Sequence, residues 1–188
     1  MQTSRPPHAS PEEYLAEEQH TAYHSEYYDG LMVPLAPASI NHQRIVGNVH
    51  ALLYQHLNCK EHDLLINTRL WIPQRQVYTY PDLVVVAGEP LLDEGTDDTI
   101  LNPLMIVEVL SAKTRNYDRG EKFISYRGIE GFREYLLIDE ASVYVEHFTR
   151  TPEKHWLLVE HDDLLAVVVL ASMPIELTLR DIYKRVVF

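Results

Sequence analysis

Glu108 interrupts LMIVEVL (Leu104–Leu110), a run in which every other residue is strongly apolar. Such a run reads as a strand buried on both faces. An ionised carboxylate inside it loses its hydration, at a penalty on the order of several kcal/mol unless a cation or dense hydrogen bonding replaces the water. The fold must therefore bring Glu108 a partner. Two kinds of partner satisfy the physics: a structural ion pair with a basic residue of a neighbouring element, or a functional site that uses the carboxylate.

At 188 residues the chain suits one domain of roughly 150 residues with extensions, large enough to bury a core without disulfides. The expectation is a disordered tail over residues 1–10 followed by a single domain over 11–188. The only cysteine, Cys59, rules out an intrachain disulfide and a cysteine-held zinc or iron–sulfur centre, and fits a reducing cytoplasm. MQTSRPPHAS lacks the apolar core of a signal peptide, and LLAVVVLASM (Leu164–Met173) is too short to span a bilayer. A net charge of −12 argues against a broad nucleic-acid-binding face, which draws on clustered Lys and Arg. The charge is uneven, however. Between Lys113 and Arg133 six basic residues stand against three acidic ones, a local balance of +3 directly after the Glu108 strand. Such a run is commonly a solvated helix face.

Ser10-Pro11-Glu12-Glu13 has the form of a capping box with proline at the first helical position, predicting a helix from Pro11 to about His20. The tyrosine-rich segment Ala22–Tyr28 leads through Asp29-Gly30 into LMVPLA, a hairpin with a primed turn. Ile45, Val49, Leu52, Leu53 and Leu57 fall at helical spacing and predict a long helix over Ser39–Leu57. LLINTRLWIP, VYTYPDLVVVAG and LMIVEVL are strand material for a central sheet. A helix from Asn116 or Tyr117 to about Arg127 is closed by Gly128. REYLLID is another buried strand, SVYVEHFTR and HWLLVEH form a meander, and a short helix lies near Leu179–Arg185. Alternating strands and helices with an apolar sheet imply a single α/β or α+β layer architecture.

Asp82 follows Pro81 at the mouth of the strand LVVVA, so two carboxylates stand on neighbouring buried strands. Like charges facing each other in a low dielectric repel, and a divalent cation is the commonest remedy. Magnesium or manganese suits such oxygen ligands. Lys122 lies four residues after Asp118 on the predicted helix, so both project to one face. They form either a surface salt bridge of little value or a cation reaching the carboxylate pair. Glu26, beside the Asp29-Gly30 turn, is a further candidate carboxylate.

SPEEYLAEE, SEYYDGLMV, NHQRIVGNV, TYPDLVVVAGEP and IVEVLSAKTRNYDRGEKFISYRGIEGFREYLLID resemble, in that order, the Uma-two family of bacterial endonucleases within the restriction-endonuclease-like PD-(D/E)XK superfamily. The resemblance runs from about Ser10 to Phe188. It implies a restriction-endonuclease-like core: a central mixed β-sheet flanked by helices, with an N-terminal helix and hairpin and a C-terminal β-meander. It implies a metal-dependent nuclease with Asp82 and Glu108 as ligands of Mg²⁺ or Mn²⁺, a carbonyl of Val109 or Leu110 completing the coordination, and Lys122 activating water. The superfamily's lysine usually stands two residues after the second acid, where this chain has Leu110, and Lys122 in YDRGEKF is its counterpart. Glu26 corresponds to an acid from the N-terminal part of the core. Ser111 and Asp118 belong to the same motif and would support the ligands, Arg115 and Arg119 would contact phosphate oxygens without reading sequence, and His42, near the start of the long helix, would line the site. The implied partner is nucleic acid, with DNA favoured over RNA.

Two other readings compete. A nuclease-like fold without activity would serve as a module binding nucleic acid or protein. A histidine zinc site is the weaker one: no H-E-x-x-H occurs, and His42, His50 and His56 do not share ligand spacing. The tyrosines suit sheet faces and interfaces. The late apolar strands offer edges that a homodimer would cover.

Overall fold

The computed structural model describes residues 9–188. Its elements run α1 (Pro11–Glu18), β1 (Ser25–Tyr28), β2 (Leu31–Pro34), α2 (Ile40–His56), β3 (His62–Ile66), β4 (Arg69–Ile72), a 3-10 turn (Pro73–Arg75), β5 (Val77–Thr79), β6 (Leu83–Ala87), β7 (Thr99–Ile100) and β8 (Pro103–Leu110). There follow α3 (Arg115–Tyr117), a π-helical turn (Asp118–Lys122), α4 (Phe123–Tyr126), β9 (Glu134–Asp139), β10 (Val145–Arg150), β11 (Trp156–His161), β12 (Val167–Val169), β13 (Glu176–Thr178) and α5 (Leu179–Ile182). The tail expected over residues 1–10 falls outside the described residues for 1–8. Ala9 and Ser10 are held in place: the Ala9 N–H donates to the Gly30 carbonyl at 3.1 Å, and Ser10 caps α1 in the expected reciprocal box with Glu13.

Local chemistry explains the early elements. Asp29 and Gly30 both take positive φ, 43° and 94°, the backbone a primed turn demands, and join β1 to β2 in register Tyr28–Leu31. Ser39 caps α2 through the His42 N–H, and Ile45, Val49 and Leu53 form its buried stripe.

The strands fall into two main sheets rather than one. A six-stranded mixed sheet has the order β11-β10-β9-β8-β6-β3, with only β8 and β9 parallel. A five-stranded sheet has the order β2-β1-β5-β4-β7, and β12 and β13 form a separate hairpin. LLINTRLWIP and VYTYPDLVVVAG, both read as strand material for one central sheet, are each divided between the two sheets. The first bends at Asn67, whose φ is 48°, and delivers β3 to one sheet and β4 to the other. The second breaks at Tyr80-Pro81-Asp82, between β5 and β6, where proline cannot donate to a ladder.

Strand alternation divides the core in two. Leu83, Val85, Met105, Val107, Val109, Leu136 and Ile138 turn to one face of the large sheet, against α2, α5 and the β12–β13 hairpin. Val84, Val86, Ile106, Leu110, Tyr135 and Leu137 turn to the other face, against β4, β5 and the 123–132 segment. By parity Glu108 belongs to the second face.

Candidate active site

Asp82 and Glu108 meet because of register. Leu83 pairs with Val107 across antiparallel β6 and β8, so the next step beyond the end of β6 sets Asp82 opposite Glu108. The Asp82 carboxylate is locked there: Oδ2 accepts the Val109 N–H at 2.7 Å, and Oδ1 lies 2.8 Å from Nε2 of His42, which the first turn of α2 supplies. The sheet break at Pro81 is what frees Asp82 from the ladder and turns its side chain to the site.

Lys122 is the cation the buried strand required. Its ammonium lies 3.0 Å from Glu108 Oε1, 3.0 Å from Glu26 Oε1 and 3.5 Å from Asp118 Oδ1, and the side chain is only 7% exposed. Tyr126 donates its hydroxyl to the same Glu108 oxygen at 2.9 Å. Glu26 comes from β1 and accepts hydrogen bonds from Thr79 at 2.5 Å, from the Tyr80 N–H at 3.3 Å and from the Tyr28 hydroxyl. The helix carrying Lys122 is continuous from α3 to α4 but passes through a π-helical turn over Asp118–Lys122. Such insertions widen one turn and cluster at functional sites. Here it carries both Asp118 and Lys122 into the buried interior.

One lysine cannot neutralise three acids, and the titration behaviour of the group reflects this. Burial opposes ionisation of Glu26, but the Lys122 ammonium and the Thr79 and Tyr28 hydrogen bonds outweigh it and hold its carboxyl below the usual range. Glu108 is pushed well above its ordinary value, by burial first; Lys122 opposes this, and Asp118, Asp82 and Glu26 reinforce it. Asp118 is also raised, chiefly by burial. Burial works against the charge of Lys122, yet Glu108, Tyr126, Glu26 and Asp118 raise it well above the ordinary lysine value. The site is therefore short of positive charge.

A cleft of about 940 Å³ opens over this group and is lined by Asp82, Glu108, Asp118, Lys122, His42 and Ser111, among others. Ser111 accepts the Thr114 N–H at 3.2 Å and so shapes the turn leaving β8. His42 is raised in pKa: burial lowers it, but the hydrogen bond and charge of Asp82 prevail. Six of the residues singled out in the sequence thus share one cleft, and Glu26 joins them from beneath through Lys122. Arg115 and Arg119 do not. Arg115 is paired with Asp139, and Arg119 lies 2.6 Å from Glu146. The cleft instead receives Lys113. Tyr126 and Thr79, which complete the hydrogen bonding of Glu108 and Glu26, carried no sequence signal, since each reaches the site only through tertiary packing.

The donor chemistry suits a hard divalent cation. Asp82 and Glu108 offer oxygen alone, in a pocket with excess negative charge. Among the described residues no three His, Cys, Asp or Glu side chains are arranged to hold a metal between them. Two carboxylates, with the other positions left to main-chain oxygen, water and phosphate, match what Mg²⁺ accepts. Among the same residues no helix is long and apolar enough to cross a membrane.

Two uncharacterized proteins of Synechocystis are similar to this chain. One is 37% identical over 149 residues, 79% of this chain and 84% of the relative. The other is 33% identical over 156 residues, 82% of this chain and 81% of the relative. A crystal structure from Anabaena variabilis, described as a "putative nuclease", shares the fold at a TM-score of 0.76 and 16% identity, covering 95% of this chain and 99% of that one. The Uma2 family model, described as "Putative restriction endonuclease", matches residues 11–180. With the two relatives and the shared nuclease-like fold, that match establishes that this chain belongs to the Uma2 family.

Proposed function

We propose that the protein is a metal-dependent nuclease that hydrolyses phosphodiester bonds, acting as a cytoplasmic homodimer whose 11–188 region is a single domain. The observation that carries this reading is the facing of Asp82 and Glu108 across two buried strands at the floor of an open cleft, with Lys122 against Glu108. Asp82 and Glu108 would hold Mg²⁺ or Mn²⁺. When bound, such an ion relieves the repulsion between the carboxylates and polarises a phosphoryl oxygen.

The chain's own residues supply position and charge. Lys122, kept protonated by its carboxylate neighbours, does not take a proton; its ammonium orients the attacking water and faces negative charge that develops on the phosphoryl oxygens. Glu26 and Asp118 hold that ammonium in place. His42 and the Val109 N–H fix the orientation of Asp82, leaving the remaining lone pairs of its oxygens for a ligand. Water adds to phosphorus as the bond to the leaving oxygen breaks; the water's proton passes to solvent through the cleft, and the leaving oxygen, which keeps the bonding pair, takes a proton from the same solvent. Asp82→Ala, Glu108→Ala and Lys122→Ala should each abolish metal-dependent cleavage of plasmid DNA; full activity in either carboxylate variant contradicts the assignment.

One observation favours a second reading, a silent nuclease-like module that binds nucleic acid or protein. Glu108 Oε1 is already occupied by Lys122 and Tyr126, an arrangement that an ion-paired structural glutamate also adopts. Metal binding without turnover distinguishes it.

A further inference from the structure

Phosphate affinity in this cleft has few cations to draw on. Four acids line it, Asp82, Glu108, Asp118 and Glu140, against two lysines, Lys113 and Lys122, and Lys122 is spent on three carboxylates. Of the basic stretch beside it only Lys122 is buried, and only Lys113 and Lys122 reach the cleft. Arg115 and Arg119 are paired with acids, Arg133 donates to the carbonyls of Glu130 and Phe132, and Arg127 lies 5.0 Å over the Phe123 ring. A duplex binds non-specifically through many Lys and Arg contacts to phosphate. The cleft presents two of them, so stacking of bases is a further source of affinity open to a strand here.

His24 is built for that. It lies where the cleft passes into an adjoining depression of about 380 Å³, and with Asn67 and Tyr80 it lines both. One ring face stacks on Tyr80, with centroids 4.6 Å apart at 28°. Its Nδ1 lies 2.9 Å from Glu18 Oε1. Glu18, itself buried, also accepts the Tyr80 hydroxyl at 3.1 Å and the Ser25 N–H at 3.1 Å, so the anchor and the stacking partner belong to one network. The imidazole is nonetheless 55% exposed. A ring held by one edge and one face, with the rest open to the cleft, is a platform on which a base can stack without ordering cost.

We infer that the cleft takes a single-stranded nucleic acid, an unpaired base stacking on His24 beside the phosphate handled at Asp82 and Glu108. The inference rests on the nuclease reading for the position of that phosphate. It assigns His24 and Tyr80 to substrate binding and makes unpaired bases, rather than groove contacts, the feature recognised.

The test measures fluorescence anisotropy of a short mixed-sequence DNA strand, the same strand with abasic sugars, and its duplex, in Mg²⁺, for wild type, His24→Ala and His24→Phe. Hydrolysis of bis(p-nitrophenyl) phosphate, which has no base, is followed in parallel. The base-bearing strand should bind most tightly. His24→Ala should weaken it about tenfold, the scale of one lost stacked base, and His24→Phe should restore it, with base-free hydrolysis equal in all three proteins. Equal affinity for abasic and normal strands, preference for the duplex, or no effect of His24→Ala overturns the inference. In those cases continuing hydrolysis of the base-free ester leaves the nuclease reading standing. No hydrolysis of that ester by wild type, with stacking-dependent binding intact, overturns the nuclease reading instead.

Discussion

Lys122 stands at the balance point of the site. It is buried against Glu26, Glu108 and Asp118, and removing one member of a buried charge group costs about 3–5 kcal/mol, because the remaining charges lose their compensation. Lys122→Met should therefore lower the urea-unfolding free energy by about 3 kcal/mol at pH 8. The sign of its pH dependence follows. Glu108 and Asp118 are already raised by burial, and without the ammonium that opposes this they are penalised more when ionised and relieved as protonation proceeds; the deficit should shrink toward pH 5. A deficit independent of pH would show that Lys122 acts through packing alone. Glu108 could be singled out in the sequence because an acid among six strongly apolar residues has one physical explanation, a partner. The partner's identity was less accessible. Spacing linked Lys122 directly only to Asp118; its reach to the carboxylate pair stood as one of two readings, and the family resemblance favoured it. Glu18 and His24 left no pattern, since six residues separate them and their meeting depends on the turn between α1 and β1.

Elements set the geometry those residues need. The hairpin, α2, β8 and β9 are all visible in the sequence, as an Asp-Gly turn, a 3.6-residue apolar stripe and two continuous apolar runs. The two-sheet division is not, because a short apolar run looks alike in either sheet. Its markers are the positive φ of Asn67 and the Pro81 break, neither of which dictates where the next strand goes. The π-helical turn left no sequence signal either, since one extra residue per turn barely disturbs a pattern over so few positions. Gly120 lies inside that turn, where a Cβ would meet open space, so its backbone length matters more than its lack of a side chain. Deleting Gly120 should convert the turn to regular α-helix and rotate Asp118 about 100° relative to Lys122. Hydrolysis should be lost and the thermal midpoint should fall, while Gly120→Ala should retain both. Equal activity in the deletion variant would mean that the turn has no part in placing Lys122.

At the scale of the whole molecule, a buried carboxylate outside the cleft also ties elements together. Glu134, fully buried, ties β9 to the segment before β13 by accepting the Ala171 and Ser172 N–H groups at 2.8 and 3.0 Å, and lies 2.6 Å from His147 Nε2. Burial alone would raise it, but His147, Ser172 and the two main-chain donors hold it below the usual range. A depressed folded pKa contributes stability above the unfolded value of about 4.3 and loses it as pH falls through the folded value. Glu134→Gln should thus cost about 1–3 kcal/mol at pH 7 and progressively less below pH 4 in denaturant titrations. The outer edge of the same sheet bears on assembly. On β11, Leu157, Leu158 and Val159 are all exposed and the strand pairs only with β10. An exposed apolar edge strand of this kind is one that a partner edge can cover. Leu158→Lys should shift the proposed dimer to monomer in light scattering; a wild-type monomer would refute the dimer. Overall charge, by contrast, was easily misjudged from sequence. The local +3 left open a solvated helix face, and Arg115 and Arg119 were expected on phosphate; in the fold Arg115, Arg119 and Lys122 pair with acids instead.

The central claim is that Asp82 and Glu108 together form a divalent-cation site that cuts phosphodiesters. The most direct measurement is calorimetric titration of Mg²⁺ and Mn²⁺ into wild type, Asp82→Ala and Glu108→Ala, with each metal-loaded protein then incubated with plasmid and single-stranded DNA and RNA. Binding and cleavage are expected in wild type, and the loss of both in either variant. Unchanged binding in the variants, or wild type that neither binds nor cleaves, would reduce Glu108 to the structural partner of Lys122 and contradict the account.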